Sequence, residues 1–589
     1  VVAGIRDYGN RVGIPTVAGQ VAFHPKYTGN PLVNVGCVGL VKKELMIHSH
    51  AGDIGDIYIL AGGKTGRDGI HGVTFASRDL DAASDDDIGA VQLGDPITKE
   101  PLMHLCLELN ELGLLTGMKD LGGGGLSCVV GELALDAGFG ANVDLEKVHL
   151  KLKNMAPWEI WVSESQERMM FTVKPENVQK VLDRCNAWDV EAVAIGEVIK
   201  EKRNIVKFNG TEILNLDLEF TTGGPVYNRP YVLPEIDNLE PTELPPFPTD
   251  LSETIRNIVG NPEVSSKDWV IRQYDHEVRG ATAIKPIQGR IGKEVHGDSS
   301  VLKPVEDSWK GLALTADINP HMMEANPYHG TMSAVEEICR NLASVGARID
   351  SLADCLCFGN PQRPEIMGQF KSSCEALRDA ATFVDVPYVS GNVSLYNETA
   401  EGAIPPTPVL MGIGIVEDIR KCVTSDMKNK GDIWIVGKSE EQMGASLYYR
   451  TQGINCPNVP TTDFDSFIPR MEQLIEAIES GEVSACHDVS TGGIALAVIE
   501  MCMGGVGAKI NLSGDMRDDL ELFSESNGRW IVQVKPEFEE KFSKRFDFAR
   551  KIGHVDNDIS FNLSKGAEVR FSIDELRKIW TDPLWKRLA

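Results

Sequence analysis

The chain has 589 residues, 42% hydrophobic and 24% charged, an ordinary globular composition with length for about three or four domains. Its formal net charge of −28 argues against nucleic-acid backbones as partners. Small phosphate ligands stay open, because backbone amides and Mg²⁺ can hold them locally.

In chain order, the opening residues Val2, Ile5 and Val12 follow a helical period, and Pro31 to Val41 reads as a strand. Strands and helices then alternate: strand Ile57 to Ala61, helix Pro101 to Leu115, helix Leu126 to Ala137, strand Met169 to Val173, and a helix with Pro175 in its first turn. A stretch rich in proline, from Pro225 to Pro248, predicts an extended connection or strap. Beyond it come helices at Thr331 to Ala343 and Glu365 to Phe383, then a strand at Val409 to Val416. The last block predicts strand Ile433 to Val436, helices Phe467 to Ser480 and Ile494 to Met503, and strand Trp530 to Val534. Mixed strands and helices indicate α/β or α+β layers. No apolar run approaches a membrane span, and twelve scattered cysteines without CxxC spacing suggest reduced thiols in a cytoplasmic protein.

The chain repeats itself. Val173-Lys174-Pro175-Glu176 returns as Val534-Lys535-Pro536-Glu537, and Ser163-Glu164-Ser165 returns as Ser524-Glu525-Ser526, 361 positions on in both cases. Ile5-Arg6-Asp7 and Pro15 to Gly19 return at Leu377-Arg378-Asp379 and Pro387 to Gly391, 372 positions on. Two copies of a two-domain unit give the predicted organisation: 1–45, 46–222, a linker at 223–264, 265–418 and 419–589. The second copy has a long stretch before Leu377 and the first only four residues before Ile5, so about a hundred residues are expected ahead of Val1 in the whole protein.

Four segments carry chemistry. Asp120 precedes Gly122-Gly123-Gly124-Gly125 and an apolar helix, a pattern in which exposed amides and a helix N-terminus can hold phosphate and the carboxylate can hold Mg²⁺. A tight turn explains the glycines as well, and the counterpart after Asp488 keeps only Gly492-Gly493. Ser163 to Arg168 offers carboxylate, hydroxyl and amide groups to a ribose or formamide, or else forms a solvated turn. Gly63 to Gly72 is glycine-rich and basic but lacks the phosphate-loop spacing; Arg67 and His71 either bind a ligand or brace a salt-bridged turn. Asp354 and Asn392 are hard oxygen donors suited to a Mg²⁺-nucleotide, and Gly391 permits close backbone approach; ordinary turn chemistry is the alternative.

Together the segments beginning at Gly29 (GNPLVNVGCVGLV), Lys64 (KTGRDGIHG), Val91 (VQLGDP), Asp120 (DLGGGGLS), Ser163 (SESQERM), Gln273 (QYDHEVRG), Asp354 (DCLCFGNP) and Ser390 (SGNVSLYNET) resemble phosphoribosylformylglycinamidine synthase, in its small synthetase-subunit form, over essentially the whole chain. The resemblance implies an α/β (α+β) fold shared with aminoimidazole ribonucleotide synthetase, its ferredoxin-like domains joined in a central barrel flanked by two α/β domains. It implies ATP-dependent amidation of formylglycinamide ribonucleotide in purine synthesis, through an iminophosphate, with ammonia from a separate glutaminase subunit and a small accessory subunit in the complex.

It also places Gln92, Glu164, Ser165, Gln166 and Ser394 on substrate, Asp354 and Gly391 on ATP, and Asp120 and Asn392 on Mg²⁺. The family's catalytic His and ATP-binding Lys fall upstream of Val1. His296-Gly297-Asp298-Ser299-Ser300 departs from the family's usual run, which puts a nucleotide at that second-copy position in question. Two other readings remain: a different ATP-dependent enzyme of the same superfamily, and a nucleotide-binding scaffold without catalysis.

Overall fold

The computed structural model describes residues 1–70, 72 and 91–588. It divides into two compact units, one formed mainly by Ala3–Gly13 and Cys37–Asn228, the other mainly by Ile14–Gly36 and the chain from Arg229 onward. His71, singled out in the sequence, lies outside the described residues.

In the first unit, helix α1 (Val2–Val12) precedes a seven-stranded sheet formed by β1 (Ile57–Gly62), β2 (Gly117–Asp120), β3 (Gly140–Asp144), β4 (Arg168–Val173), β5 (Ala192–Ile199), β6 (Arg203–Phe208) and β7 (Thr211–Asp217). The strands lie in the order β2-β4-β1-β5-β3-β6-β7. Every residue of β1 from Tyr58 on is buried, as expected for a central strand covered on both faces. Helices α2 (Pro96–Glu111) and α4 (Val178–Ala187) share one core with Ile59, Ala61 and Phe171, and α3 (Leu126–Asp136) shares the other with Tyr58, Leu60 and Met170.

In the second unit, helix α5 (Leu251–Val259) comes before two sheets. The six-stranded one contains β8 (Thr282–Ile284), β11 (Ser300–Leu302), β12 (Gly311–Asp317), β13 (Arg348–Cys357), β14 (Tyr388–Ser394) and β17 (Thr407–Val416), with β14 at one edge; β9 (Ile287–Arg290) and β10 (Lys293–His296) form a hairpin, as do the short β15 (Glu398–Thr399) and β16 (Gly402–Ala403). Helices α6 (Pro327–Ser344) and α7 (Pro364–Val384) pack on it through Ile338, Leu342, Ala376 and Leu377. The seven-stranded sheet comprises β18 (Asp432–Val436), β19 (Val483–Asp488), β20 (Gly507–Asn511), β21 (Trp530–Val534), β22 (Ala549–Asp556), β23 (Ile559–Asn562) and β24 (Glu568–Phe571), with helices α8 (Phe464–Glu479), α9 (Gly493–Cys502) and α10 (Ile573–Leu588).

Its order, β19-β21-β18-β22-β20-β23-β24, repeats that of the first sheet strand for strand. Even the irregularity is kept: the register of β1 with β5 shifts between Tyr58 and Ile59, and that of β18 with β22 shifts between Ile433 and Trp434. A bulge retained in both copies is a built feature of the sheet, because it sets where the strand bends. The predicted duplication is thus a duplication of topology.

Two expectations need correction. Residues 31–42 are not assigned as strand; Val33 and Val35 are exposed, because apolar alternation makes a strand only where a partner strand supplies hydrogen bonds. The proline-rich 223–264 stretch is not all strap. Its end forms α5, capped by the Asp250 carboxylate accepting from Glu253 N at 3.0 Å, with Leu251, Ile255, Ile258 and Val259 buried in the same core as Leu576 and Trp580 of α10. Among the described residues, no helix is long and apolar enough to cross a membrane.

Candidate functional site

The first-unit site grows from the turn between β2 and α3. Gly124 and Gly125 have φ of 73° and 54°, the left-handed region that favours glycine. A Cβ on Gly125 would stand 1.9 Å from the Ser163 carbonyl oxygen, so the turn closes against the loop before β4 only with glycine there. That contact aims the Gly124 N–H at Glu164 Oε1, 2.9 Å away. The other carboxylate oxygen of Glu164 accepts from Gln92 Nε2 at 2.5 Å. Gln92 and Glu164, expected on one ligand, are therefore brought together. Asp120 is exposed at the end of β2, on the approach to the glycine turn.

Ser165 and Gln166 sit differently from Glu164. The Ser165 hydroxyl donates to Asp68 Oδ2 at 2.6 Å and accepts from Gly66 N at 2.9 Å, and Gln166 Nε2 donates to the Glu164 carbonyl at 2.8 Å. The residue that builds the loop is Arg168. It is fully buried and donates to Ser165 O at 2.6 Å, Ser163 O at 2.7 Å and Thr65 Oγ1 at 3.0 Å. Sequence reading passed over Arg168, although Arg529 stands 361 positions on, in step with the Ser-Glu-Ser repeat. Arg67 pairs with Glu159 at 2.7 Å, a salt bridge to a residue 92 positions on rather than one within its own turn.

The second-unit residues lie on two paired strands. β13 and β14 run parallel, with Asp354 opposite Gly391, Cys355 opposite Asn392 and Cys357 opposite Ser394. Burial raises the Asp354 carboxyl and the Asn392 backbone N–H, donating to it, draws it back. A Cβ on Gly391 would come within 2.9 Å of Asp354 Oδ1, so glycine keeps that carboxylate open. Ser394 Oγ accepts from Asn397 Nδ2 at 3.1 Å. At this exposed sheet edge the register puts Asp354 and Gly391 on one face and Asn392 and Ser394 on the other, Ser394 at the end of β14.

The second copy of the glycine turn is built the same way and occupied differently. Gly492 N donates to Glu525 Oε1 at 2.8 Å, and Arg529 donates to Ser526 O, Ser524 O and Ser439 Oγ at 2.8, 2.6 and 3.0 Å. Around Asp488, however, the space is filled with protein charge. Arg340, 1% exposed, reaches Glu337 at 3.3 Å, Glu336 at 3.4 Å and Asp488 at 3.7 Å. Burial pushes the neighbouring Asp317 up to about 7 and raises Glu337 well above the usual carboxylate range, with Asp317 adding to the latter.

Asp298, His487 and Asp488 place potential ligand atoms within 4.8 Å of one another. Both His487 nitrogens face carboxylates, Asp298 at 2.6 Å and Glu500 at 3.2 Å. Burial alone would lower the imidazole, but Asp298 and Glu500 hold it well above its ordinary value. A doubly donating imidazolium is an ion-pair partner and has no lone pair for a metal.

The Mg²⁺ assignments can be tested on chemistry. Asp120 and Asn392 present exposed hard oxygen donors of the kind Mg²⁺ takes, Asp120 beside a turn of backbone amides and Asn392 on the edge strand β14. They fit the ion.

Comparison with known proteins agrees with the duplicated topology. The model of the AIR synthase related protein C-terminal domain matches residues 53–209 and 427–564, and that of the N-terminal domain matches 1–41 and 296–416. Phosphoribosylformylglycinamidine synthase subunit PurL of Thermoplasma volcanium is 41% identical over 595 residues, covering 98% of this chain and 77% of that protein. The chain belongs to the PurL family. The PurL of Picrophilus torridus is 40% identical over 593 residues, covering 100% of this chain and 78% of the relative. Among solved structures, T. maritima PurL complexed with FGAR superposes with a TM-score of 0.71 at 26% identity, and PurL complexed with ATP with 0.70 at 25%; each match covers 94% of this chain and 80% of the other. The fold is the duplicated AIR synthase-like one of PurL.

Proposed function

We propose that this chain is the synthetase subunit of a cytoplasmic phosphoribosylformylglycinamidine synthase, a C–N ligase of purine synthesis. It converts formylglycinamide ribonucleotide, ATP and ammonia to formylglycinamidine ribonucleotide, ADP and phosphate. The observation that carries the reading is the Glu164 carboxylate, fixed by Gly124 N–H and Gln92 in a loop pinned by Arg168, in a chain of the PurL family.

An amide oxygen is a poor leaving group. Its attack on the γ-phosphorus of ATP releases ADP and leaves an iminophosphate; ammonia then adds to that carbon and phosphate departs. Glu164 and Gln92 orient the substrate by hydrogen bonds to its polar groups, with Ser165 and Gln166 fixing their loop and Ser394 serving the substrate from β14. Asp354 and the open backbone at Gly391 accommodate ATP. Asp120 and Asn392 would hold Mg²⁺, which supplies positive charge to offset that on the transferring phosphoryl group. A separate glutaminase subunit provides the ammonia, and a small accessory subunit completes the complex.

The test is ADP formation by the full-length protein. Turnover that requires both formylglycinamide ribonucleotide and ammonium is expected. ATP binding without such turnover would favour a scaffold, and turnover with a different acceptor would favour another enzyme of the superfamily.

A further inference from the structure

The sulfurs of Cys355 and Cys357 lie 3.8 Å apart on β13. Residues two apart on a strand project from the same face, so this pair shares a face with Asn392 and Ser394, their register partners on β14. Cys355 is half-buried, Cys357 is buried, and Asn34 Oδ1 stands 3.8 Å from Cys357 Sγ. Two thiolates bound to one tetrahedral zinc at about 2.3 Å are themselves about 3.8 Å apart, so the sulfurs already have the bite of a zinc-type chelate. A disulfide needs sulfurs at about 2.05 Å and a Cβ separation of about 3.8 Å, closer than neighbouring same-face positions of an extended strand allow.

We propose that Cys355 and Cys357 form a binding site for a thiophilic divalent cation of the Zn²⁺ or Cd²⁺ class, and that its occupation blocks the face carrying Asn392 and Ser394. Binding breaks two S–H bonds, releases both protons to solvent and forms two metal–sulfur bonds, with no change of oxidation state. The amide oxygen of Asn34 and water complete the shell. The inhibitory consequence rests on the proposed function; the binding site does not.

The probe is Cd²⁺, titrated into the reduced full-length protein and followed by thiolate-to-metal charge-transfer absorbance. One equivalent per chain beyond that of C355S is expected, with the same loss in C357S and at least a tenfold fall in affinity. Cys355 is partly exposed, so C355S decides the matter alone if C357S does not fold. Absorbance undiminished in C355S, supplied by the other cysteines, overturns the site. In the activity arm, Zn²⁺ lowers turnover of the wild type and leaves C355S insensitive. Cation binding with turnover unchanged overturns the link to the reaction. A protein without substrate-dependent turnover overturns the proposed function, while the absorbance still decides the site.

Discussion

The glycine turn after Asp120 and the one after Asp488 have the same backbone and different surroundings. Each places two successive glycines at positive φ, at Gly124 and Gly125 and at Gly492 and Gly493. Each directs an amide at a glutamate, and each is braced by a buried arginine. In the first, Asp120 is exposed. In the second, Ser490 donates to Asp488, and Arg340 approaches the same carboxylate, itself raised by burial and by the nearby Asp298. The comparison teaches that the turn is a scaffold, and that the chemistry is set by whether the facing charge comes from the protein or is left to a ligand.

The sharpest way to break this comparison is to remove the internal charge. R340M leaves the buried Glu336 and Asp488 and the partly buried Glu337 without their guanidinium and is expected to cost about 3–5 kcal/mol in denaturant unfolding. A loss below about 1 kcal/mol would mean that these carboxyls neutralise themselves by protonation.

A smaller effect comes from pH. Burial raises Glu525 to about 7, from an ordinary value of 4.5. A folded-state value above the unfolded one gives stability that is fully present below about pH 4.5 and lost as pH rises through about 7. Stability against pH, measured for wild type and E525Q, should therefore diverge across that window by up to about 3 kcal/mol. Parallel curves would contradict the burial of this carboxyl.

Next is function. E164A is expected to lower kcat/KM for formylglycinamide ribonucleotide about a hundredfold, because substrate orientation is lost. Steady-state kinetics of the full-length protein check this, and an unchanged value would move the substrate contact elsewhere. The smallest effect tests the shared brace: T65V and S439A each remove one hydrogen bond to a buried arginine. Each should lower stability by about 1–2 kcal/mol, read from unfolding midpoints, with the two losses similar.

Much of this was legible in the sequence because the repeat compares a residue with its own copy. Glycines present in both turns are those whose φ demands them; Gly122, replaced by Ser490 in the second copy, is outside that requirement. Glu164, Asp354 and Asn392 were singled out by residue type and Gln92 by resemblance; in the structure Gln92 meets Glu164, and Asp354 and Asn392 lie on paired strands. Arg168 and Arg340 were not, since an arginine in one dimension reads as surface charge until its burial is known. The exposed 31–42 segment and helix α5 failed for opposite reasons: alternation does not reveal whether a partner strand exists, and nearby prolines hid an amphipathic run that tertiary packing makes helical.

Helix α5 also sets a timetable. Its apolar face is buried with α10, and Arg256 pairs with Glu575, 319 residues later in the chain. At about 5–20 residues per second of synthesis, α5 waits about 15–60 seconds for that partner. Through that interval Leu251, Ile255, Ile258 and Val259 lack the part of their core that α10 supplies, so α5 is a segment a chaperone could hold during translation.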